Sequence, residues 1–187
     1  MSREDWTEWG QPWLVVEAVR WLEGWLKGGM VAFEWGAGGS TVWLAQRVKH
    51  LASVEHNPEW RIAVETALNR RGLENVRLIP RPATPPDFKA YAEAIRYARA
   101  PFDFILIDGA DGFDGGATGS RLACAHEAVD RIAPGGVIVL DNAGAKSNLT
   151  ARDFLSGHAT QSLAFVGYVN QPPGVEPGQT ETRIFLG

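Results

Sequence analysis

The stretch Val31-Ala-Phe-Glu-Trp-Gly-Ala-Gly-Gly-Ser-Thr41 decides the fold of this chain. It begins as a short apolar run, continues as a glycine-rich turn and leads into the apolar helical pattern Val42-Trp-Leu-Ala45. Glycine adopts positive φ and lets a ligand approach the backbone closely, and the first turn of a helix presents unpaired N–H groups. A strand, a glycine turn and a helix start in this order predict a nucleotide-type binding site.

Two acidic residues frame this turn. Glu34 stands directly before the glycines and suits a ligand with a positive end better than a pyrophosphate. Glu55 closes the next apolar run, 21 residues after Glu34. At a spacing of about 20 residues an acid binds ribose hydroxyls, and a carboxylate accepts both hydroxyls of a diol. The pair predicts a ribose-bearing cofactor, with a tight strand-to-helix turn and a solvated glutamate as the alternative.

Apolar runs alternate with helical patterns along the whole chain. We expect strands near 31–34, 51–55, 76–79, 102–107, 137–140, 162–168 and 181–186, and helices near 40–49, 58–71, 84–99, 119–132 and 149–156. Such alternation predicts parallel strands with right-handed crossovers, and the last two strands have no helix between them. The predicted fold class is α/β: a doubly wound, mostly parallel seven-stranded sheet with a C-terminal antiparallel hairpin and helices on both faces.

Composition is that of an ordinary globular protein. The chain has 187 residues, of which 45% are hydrophobic and 21% are charged, and a net charge of −4. A nucleic-acid surface usually needs a basic stripe, so we expect no nucleic-acid partner. The N-terminus has no apolar signal core and no run approaches the length of a membrane span, so we expect a cytoplasmic protein with no membrane partner.

The N-terminal segment is rich in tryptophan. Five of the eight tryptophans lie in the first 25 residues, and apolar residues at helical spacing after Pro12 predict a helix there. We interpret the chain as one domain, 1–187, in which a Trp-rich helical segment, 1–29, joins a Rossmann-like core, 30–187. Three roles are open for this segment: packing on the core, covering the site as a lid, or forming the face of a homodimer.

Acidic residues recur where the predicted strands end: Glu34, Glu55, Asp108 and Asp141. In open α/β sheets the ligand crevice lies outside the carboxyl ends of the strands. We therefore expect these four side chains to lie around one crevice.

In the order of these motifs the sequence resembles the class I S-adenosylmethionine-dependent methyltransferases, from about residue 30 to the end. Glu34-Trp-Gly-Ala-Gly38 resembles the first motif of that family, and Ser53-Val-Glu-His-Asn-Pro58 resembles the second. Residues 102–109 resemble the fourth strand of the family, 134–142 the fifth and 181–186 the last. The resemblance implies methyl transfer from a sulfonium to a nucleophile. The enzyme then supplies orientation, exclusion of water and, where needed, a base.

The resemblance also implies contacts with S-adenosylmethionine. Glu34 would hold the ammonium side directly or through water, Glu55 would bind the ribose diol, and His56 would flank the adenine unless it is only a surface histidine at a helix start. The cofactor candidates are Glu34, Gly36, Ala37, Gly38, Ser40, Thr41, Glu55, His56 and Asp108. Residues 79–82 differ from the family's adenine motif, so the adenine contacts stay unassigned.

Three residues resemble the cation site of the catechol-type O-methyltransferase branch: Asp108, Asp141 and Asn142. Oxygen ligands suit Mg²⁺, which would hold two adjacent acceptor oxygens and lower the pKa of a hydroxyl. However, Asp111 stands where that branch usually has a lysine, and the Asp-Asn pair also occurs in members without a metal. In that alternative Asp108 contacts the cofactor and Asp141 lines the acceptor pocket. Asp108, Asp111 and Asp141 are the candidate catalytic bases.

The segment from Asp108 to Asp111 lacks the Asp/Asn-Pro-Pro-aromatic motif of amino-methyltransferases. We therefore predict O-methylation of a small-molecule acceptor. The wall of the acceptor pocket is expected from the Trp-rich segment and from the loops 109–118, 143–148 and 170–179. The loop 109–118 is rich in glycine and suits a lid. Two alternatives stay open. One is a nicotinamide-dependent Rossmann oxidoreductase, whose fingerprint needs Gly or Ala where Thr41 stands; the other is a non-catalytic cofactor-binding protein.

Overall fold

One seven-stranded sheet forms the centre of the protein. The computed structural model describes residues 2–99, 101–109 and 119–187. The strands are β1 (Val31–Trp35), β2 (His50–Glu55), β3 (Val76–Pro80), β4 (Phe102–Ile107), β5 (Ile132–Leu140), β6 (Gln161–Tyr168) and β7 (Gln179–Leu186). They are arranged in the order β3-β2-β1-β4-β5-β7-β6. Neighbours among β1–β5 are parallel, and β7 runs antiparallel to both β5 and β6.

Helices cover both faces of this sheet, which confirms the predicted fold class. They are α1 (Arg3–Trp9), α2 (Val16–Trp25), α3 (Gly39–Ala45), α4 (Pro58–Arg70), α5 (Lys89–Ala92), α6 (Ser120–Val129) and α7 (Leu149–His158), with short 3₁₀ helices at Glu93–Tyr97 and Lys146–Asn148. Successive side chains of β4 pack on opposite faces of the sheet. Ile105 lies in the core under α5–α7, and Phe104 lies in the core under α2 and α3. Among the described residues, no helix is long and apolar enough to cross a membrane.

The N-terminal segment contains two helices, whereas the sequence predicted one. The unpredicted α1 begins with a reciprocal cap, in which the Ser2 side chain accepts the N–H of Asp5 and the Asp5 carboxylate accepts the N–H of Ser2. The helix expected after Pro12 begins only at Val16. The residues before it are held extended, because Val15 pairs with Val169 of the connection between β6 and β7.

Three of the other predicted helices were too long. The first ends at Ala45, where the Asn75 amide donates to the carbonyls of both Ala45 and Val48. The helix expected over 84–99 is reduced to α5 and the 3₁₀ turn that follows it. The helix expected over 119–132 ends at Val129, because β5 begins at Ile132, with a register shift against β4. Each change depends on a partner distant in sequence or on an irregular backbone, so local patterns do not reveal it.

Candidate active site

A pocket of about 430 Å³ opens at the carboxyl ends of β1, β2, β4 and β5. Its position follows from the topology, because the glycine turn after β1 lies between the ends of β2 and β4. Nine of the site residues predicted from the sequence line it: Gly36, Ala37, Gly38, Ser40, Glu55, His56, Asp108, Asp141 and Asn142. Glu34 and Thr41 lie behind the wall, and Asp111 falls outside the described residues, as does most of the predicted lid loop.

The three glycines of the turn have different reasons to be glycine. Gly36 has a φ of 94°, and a Cβ there would lie 2.7 Å from the Cα of Gly109, so a side chain fits neither the backbone nor the space. A Cβ on Gly38 would meet nothing within 4 Å, so a side chain there would enter the open space of the pocket. Gly39 lies directly against the backbone of Gln11, which brings the N-terminal segment onto the turn.

Glu34 is fully buried and surrounded by hydroxyl groups. Ser40 Oγ donates to its carboxylate at 2.5 Å, and Thr41 Oγ1 and Ser53 Oγ each donate at 2.7 Å. Thr41 Oγ1 also accepts the N–H of Gly38 at 2.9 Å. Burial raises the pKa of Glu34 to about 7, although the hydroxyl bonds act in the opposite direction.

The position of Glu34 changes its expected role. Ser40 lies in the pocket wall, whereas Glu34 does not, so the structure offers no direct contact between this carboxylate and a ligand's ammonium. The sequence places an acid before the turn but cannot show that three hydroxyls enclose it. In the structure Glu34 organises the glycine turn from behind, through Thr41 and Ser40.

Glu55 connects two parts of the site. Its Oε2 accepts the N–H of Ala37 at 2.8 Å, and its Oε1 accepts the N–H of Asn57 at 2.6 Å. The side chain is only 3% exposed but lines the pocket. Because a carboxylate has about four lone-pair positions, Glu55 can still accept hydrogen bonds from a diol. His56 lies beside it, with Nδ1 3.1 Å from Glu55 Oε1, and also lines the pocket.

The acceptor side of the pocket contains a cation that sequence reasoning missed. Arg121, on α6, has a side chain that is 5% exposed and lies between the ends of β4 and β5. Its guanidinium donates to the carbonyls of Asp108, Gly109 and Asp141 and to the side chains of Asp108 and Asn142. Arg121 falls within the helix expected over 119–132, to which the sequence assigned no site residue.

The predicted magnesium ligands do not converge on a common point. Asp108 Oδ1 and Asn142 Oδ1 each accept from Arg121 at 3.3 Å, whereas Asp141 Oδ1 accepts the hydroxyl of Thr182 at 2.7 Å. Within the described part of the chain, no group of three or more His, Cys, Asp or Glu side chains is arranged to hold a metal. The residues present therefore do not fit the Mg²⁺ site that the catechol-type resemblance implied.

A tryptophan cluster forms the outer wall of the pocket. Trp6 and Trp13 of the N-terminal segment and Trp60 of α4 all line it. The rings of Trp6 and Trp13 meet edge to face with centroids 4.0 Å apart, and those of Trp13 and Trp60 are perpendicular at 6.2 Å. The segment thus packs on the core and also borders the pocket. Its roles as a lid and as a homodimer face stay predictions.

The connection between β6 and β7 completes this wall. Gln171 lines the pocket, as expected for the loop 170–179, and so does Val169 directly before that loop, whereas no residue of 143–148 lines it. Asn170 ties the connection to the N-terminal segment, because its N–H donates to the carbonyl of Leu14 and its side-chain amide to that of Pro12. Two segments far apart in sequence therefore close one side of the site together.

A family model described as a methyltransferase domain matches residues 33–143, more than half of the chain. No curated protein sequence matches. An O-methyltransferase from Bacillus cereus, solved with S-adenosylhomocysteine, has a TM-score of 0.60 at 19% identity over 85% of this chain and 74% of that chain.

Two further solved structures share the fold. Precorrin-8w decarboxylase from Methanobacterium thermoautotrophicum has a TM-score of 0.66 at 20% identity, covering 92% of this chain and 89% of that chain. An rRNA methylase from Streptococcus thermophilus has a TM-score of 0.61 at 15% identity, covering 89% and 92%. At such identities the likeness concerns the fold alone. The family match extends from β1 past the end of β5 and so includes the glycine turn, Glu55 and Asp108. The chain belongs to the methyltransferase-domain family, with the fold of the class I S-adenosylmethionine-dependent methyltransferases.

Proposed function

We propose that this protein transfers a methyl group from S-adenosylmethionine to an oxygen of a small-molecule acceptor. The observation that carries the proposal is the hydrogen bond between Glu55 and Ala37, because it holds a carboxylate beside an open glycine turn in one pocket, where that carboxylate could accept the hydroxyls of a ribose. We also propose that residues 1–187 form one methyltransferase domain. Its location in the cytoplasm and the absence of a nucleic-acid partner stay predictions.

The cofactor would lie across the β1 and β2 ends of the pocket. Glu55 would accept the two ribose hydroxyls, and the methionine part would follow the backbone from Gly36 to Gly38, where a side chain at Gly38 would obstruct it. Ser40, at the start of α3, presents a hydroxyl to the pocket. His56 would flank the adenine. The family membership of the chain and the S-adenosylhomocysteine named with the B. cereus O-methyltransferase support this placement.

The acceptor would lie toward the ends of β4 and β5. Asp108 has 20% of its side chain exposed, whereas Asp141 is 3% exposed as a residue, so Asp108 is the more accessible candidate base among the described residues. Gln171 contributes a buried Oε1 without a hydrogen-bond donor among the described residues, and this oxygen suits an acceptor hydroxyl. Trp6 and Trp13 would provide an apolar surface for the rest of the acceptor.

The reaction is an in-line displacement that needs little catalytic machinery. S-adenosylmethionine bound there would supply an activated methyl group, which an acceptor oxygen would take in line while the electron pair of the broken carbon–sulfur bond stays on sulfur as a neutral thioether. Asp108 would take the hydroxyl proton, as a general base within hydrogen-bond reach. The tryptophan wall would exclude water, and the two ends of the pocket would align the reacting atoms.

The size and charge of the site favour a small acceptor. A pocket of about 430 Å³ lies at the low end of the roughly 300–1,000 Å³ of small-molecule sites, and the cofactor takes part of it. The ionisable residues that line the pocket are three acids, Glu55, Asp108 and Asp141, together with Arg121 and His56. They do not form the basic surface that a polyanion needs. The fold alone does not decide this point, since an rRNA methylase shares it.

Isothermal titration with S-adenosylmethionine, S-adenosylhomocysteine and NAD tests the cofactor. We expect S-adenosylhomocysteine to bind with a dissociation constant in the micromolar range, about −8 kcal/mol, and NAD not to bind. A screen of hydroxylated small molecules, read out as S-adenosylhomocysteine formation, then tests the acceptor class. Tight NAD binding without S-adenosylhomocysteine binding would favour the oxidoreductase alternative, and cofactor binding without turnover on any acceptor would favour the non-catalytic one.

A further inference from the structure

Arg121 occupies the centre of the acceptor end of the site. Its guanidinium lies between the ends of β4 and β5, and among the described residues five oxygens accept from it at 2.5–3.4 Å: the carbonyls of Asp108, Gly109 and Asp141, Asp108 Oδ1 and Asn142 Oδ1. These oxygens come from the two loops that the catechol-type resemblance assigned to a divalent cation.

The donors of a guanidinium match this arrangement. Arginine carries five N–H groups in a fixed plane and stays protonated at every pH that a protein survives. A buried charge needs paired charges or hydrogen bonds to offset the loss of water, and Arg121 has both, since Asp108 supplies the opposite charge at 3.3 Å. The same cluster of oxygens would attract a hard cation if the guanidinium were absent.

We propose that the Arg121 guanidinium takes the place of the divalent cation, so that the acceptor site works without a bound metal and Arg121 is a positioning residue for Asp108. The part that concerns Asp108 rests on the proposed function, whereas the replacement of the metal does not. In this arrangement the acceptor is not chelated through two adjacent oxygens. The acceptor class is therefore a molecule that directs a single hydroxyl at Asp108 and places the rest of its surface against the tryptophan wall.

Binding of Mn²⁺ to the purified full-length protein tests the replacement without knowledge of the acceptor. Wild-type protein, with and without S-adenosylhomocysteine, should show no saturable Mn²⁺ binding by electron paramagnetic resonance, and EDTA should leave its melting temperature unchanged. Saturable binding that raises the melting temperature and disappears in Asp108→Asn would overturn the proposal. The titration with S-adenosylhomocysteine reports separately on the proposed function, so the two can fail independently.

Substitution of Arg121 tests its role in the fold and in positioning. Arg121→Ala should melt at a lower temperature than wild type, and millimolar guanidinium should restore part of the loss where equal sodium does not. Arg61→Ala is the matched control, because Arg61 forms an exposed pair with Glu65 on α4, away from the pocket. An Arg121→Ala protein that melts like wild type would overturn the proposal.

Arg121→Lys keeps the charge and serves if the alanine variant does not fold. Lysine offers a point charge with three donors and cannot reproduce the planar five-donor pattern. With an acceptor from the screen, we expect its kcat to fall at least about tenfold but by no more than the roughly 10²–10⁴-fold that a general base contributes, while the KM for S-adenosylmethionine stays the same. An unchanged kcat, or a loss confined to the KM for S-adenosylmethionine, would contradict the positioning role.

Discussion

The carboxylate of Glu55 accepts the backbone N–H of Ala37 at 2.8 Å, so the end of β2 is hydrogen-bonded to the glycine turn that follows β1. The other oxygen of the same carboxylate accepts the N–H of Asn57, where α4 begins. One side chain therefore fixes both segments between which the cofactor would lie. A change at Glu55 must affect the shape of the turn as well as any direct contact with a ribose.

Glu55→Gln and Glu55→Ala remove different amounts of this arrangement. The glutamine variant loses the charge and one of the two oxygens that accept from Ala37 and Asn57, so S-adenosylhomocysteine should bind about 1.5–3 kcal/mol more weakly, the value of a hydrogen bond to a charged group. The alanine variant leaves both N–H groups without this partner, so its melting temperature should fall further. Titration calorimetry and thermal melting measure the two quantities. Glu65→Gln, on the exposed surface of α4, is the control, and unchanged affinity in Glu55→Ala would contradict the assignment.

Gly36 and Gly38 form a matched pair of substitutions with opposite expected outcomes. Gly36→Ala should destabilise the fold by about 1–3 kcal/mol, because φ is 94° and a Cβ would meet the backbone of Asp108 and Gly109. Gly38→Val should keep a near-normal melting temperature but lose S-adenosylhomocysteine binding, since its side chain enters the pocket. Chemical denaturation and calorimetry on both variants test this. A Gly38→Val protein that binds normally would place the cofactor elsewhere.

The pH dependence of stability should contain a contribution from Glu34. Burial raises the pKa of Glu34 from its usual 4.5 to about 7 in the folded protein. Between these two pH values the folded state holds a proton that the unfolded chain has released. The free energy of unfolding therefore falls as pH rises through this window, by on the order of 3 kcal/mol in total, and the contribution is fully present only below the unfolded pKa.

Glu34→Gln removes this titration, because the amide does not ionise. Urea denaturation of wild type and variant at about pH 5 and about pH 8, on either side of most of the titration, should show a smaller loss of stability with pH in the variant. Glu65→Gln should retain the wild-type pH dependence, since Glu65 is exposed. Equal slopes for wild type and Glu34→Gln would mean that Glu34 keeps an ordinary pKa in the folded protein.

The sheet and the position of the pocket could be predicted because their signals are local. Apolar runs, the glycine turn and acids at strand ends are each visible in a few consecutive residues, and parallel topology brings the strand ends together. The surroundings of Glu34 could not be predicted in this way. Ser40 and Thr41 are close to it in sequence, but Ser53 reaches it only through the pairing of β1 with β2.

Arg121 illustrates the same limit more strongly. In the sequence it lies on an apolar helical pattern beside Cys124, and its partners Asp108 and Asn142 are 13 and 21 positions away. The resemblance of Asp108, Asp141 and Asn142 to the catechol-type site implied a metal, and the metal-free alternative did not include Arg121. Only the packing of α6 against the ends of β4 and β5 brings the guanidinium among them. A cation supplied by a neighbouring helix has no signature in the spacing of its ligands.

The tryptophan wall predicts a division between cofactor and acceptor binding. Trp13 is 38% exposed, borders the pocket and contacts both Trp6 and Trp60, so its removal should open the acceptor end while leaving Glu55 and the glycine turn in place. Trp13→Ala should therefore raise the acceptor KM about tenfold or more, since burial of a large aromatic side chain is worth roughly 1.5–3 kcal/mol. The affinity for S-adenosylhomocysteine should change less than threefold, below about 0.7 kcal/mol. Trp21→Ala is the control, because Trp21 stacks on Trp25 of α2 and does not line the pocket. A loss of cofactor affinity equal to the loss of acceptor affinity would make Trp13 part of the cofactor site. Sedimentation of both variants and the wild type tests the homodimer prediction in the same samples.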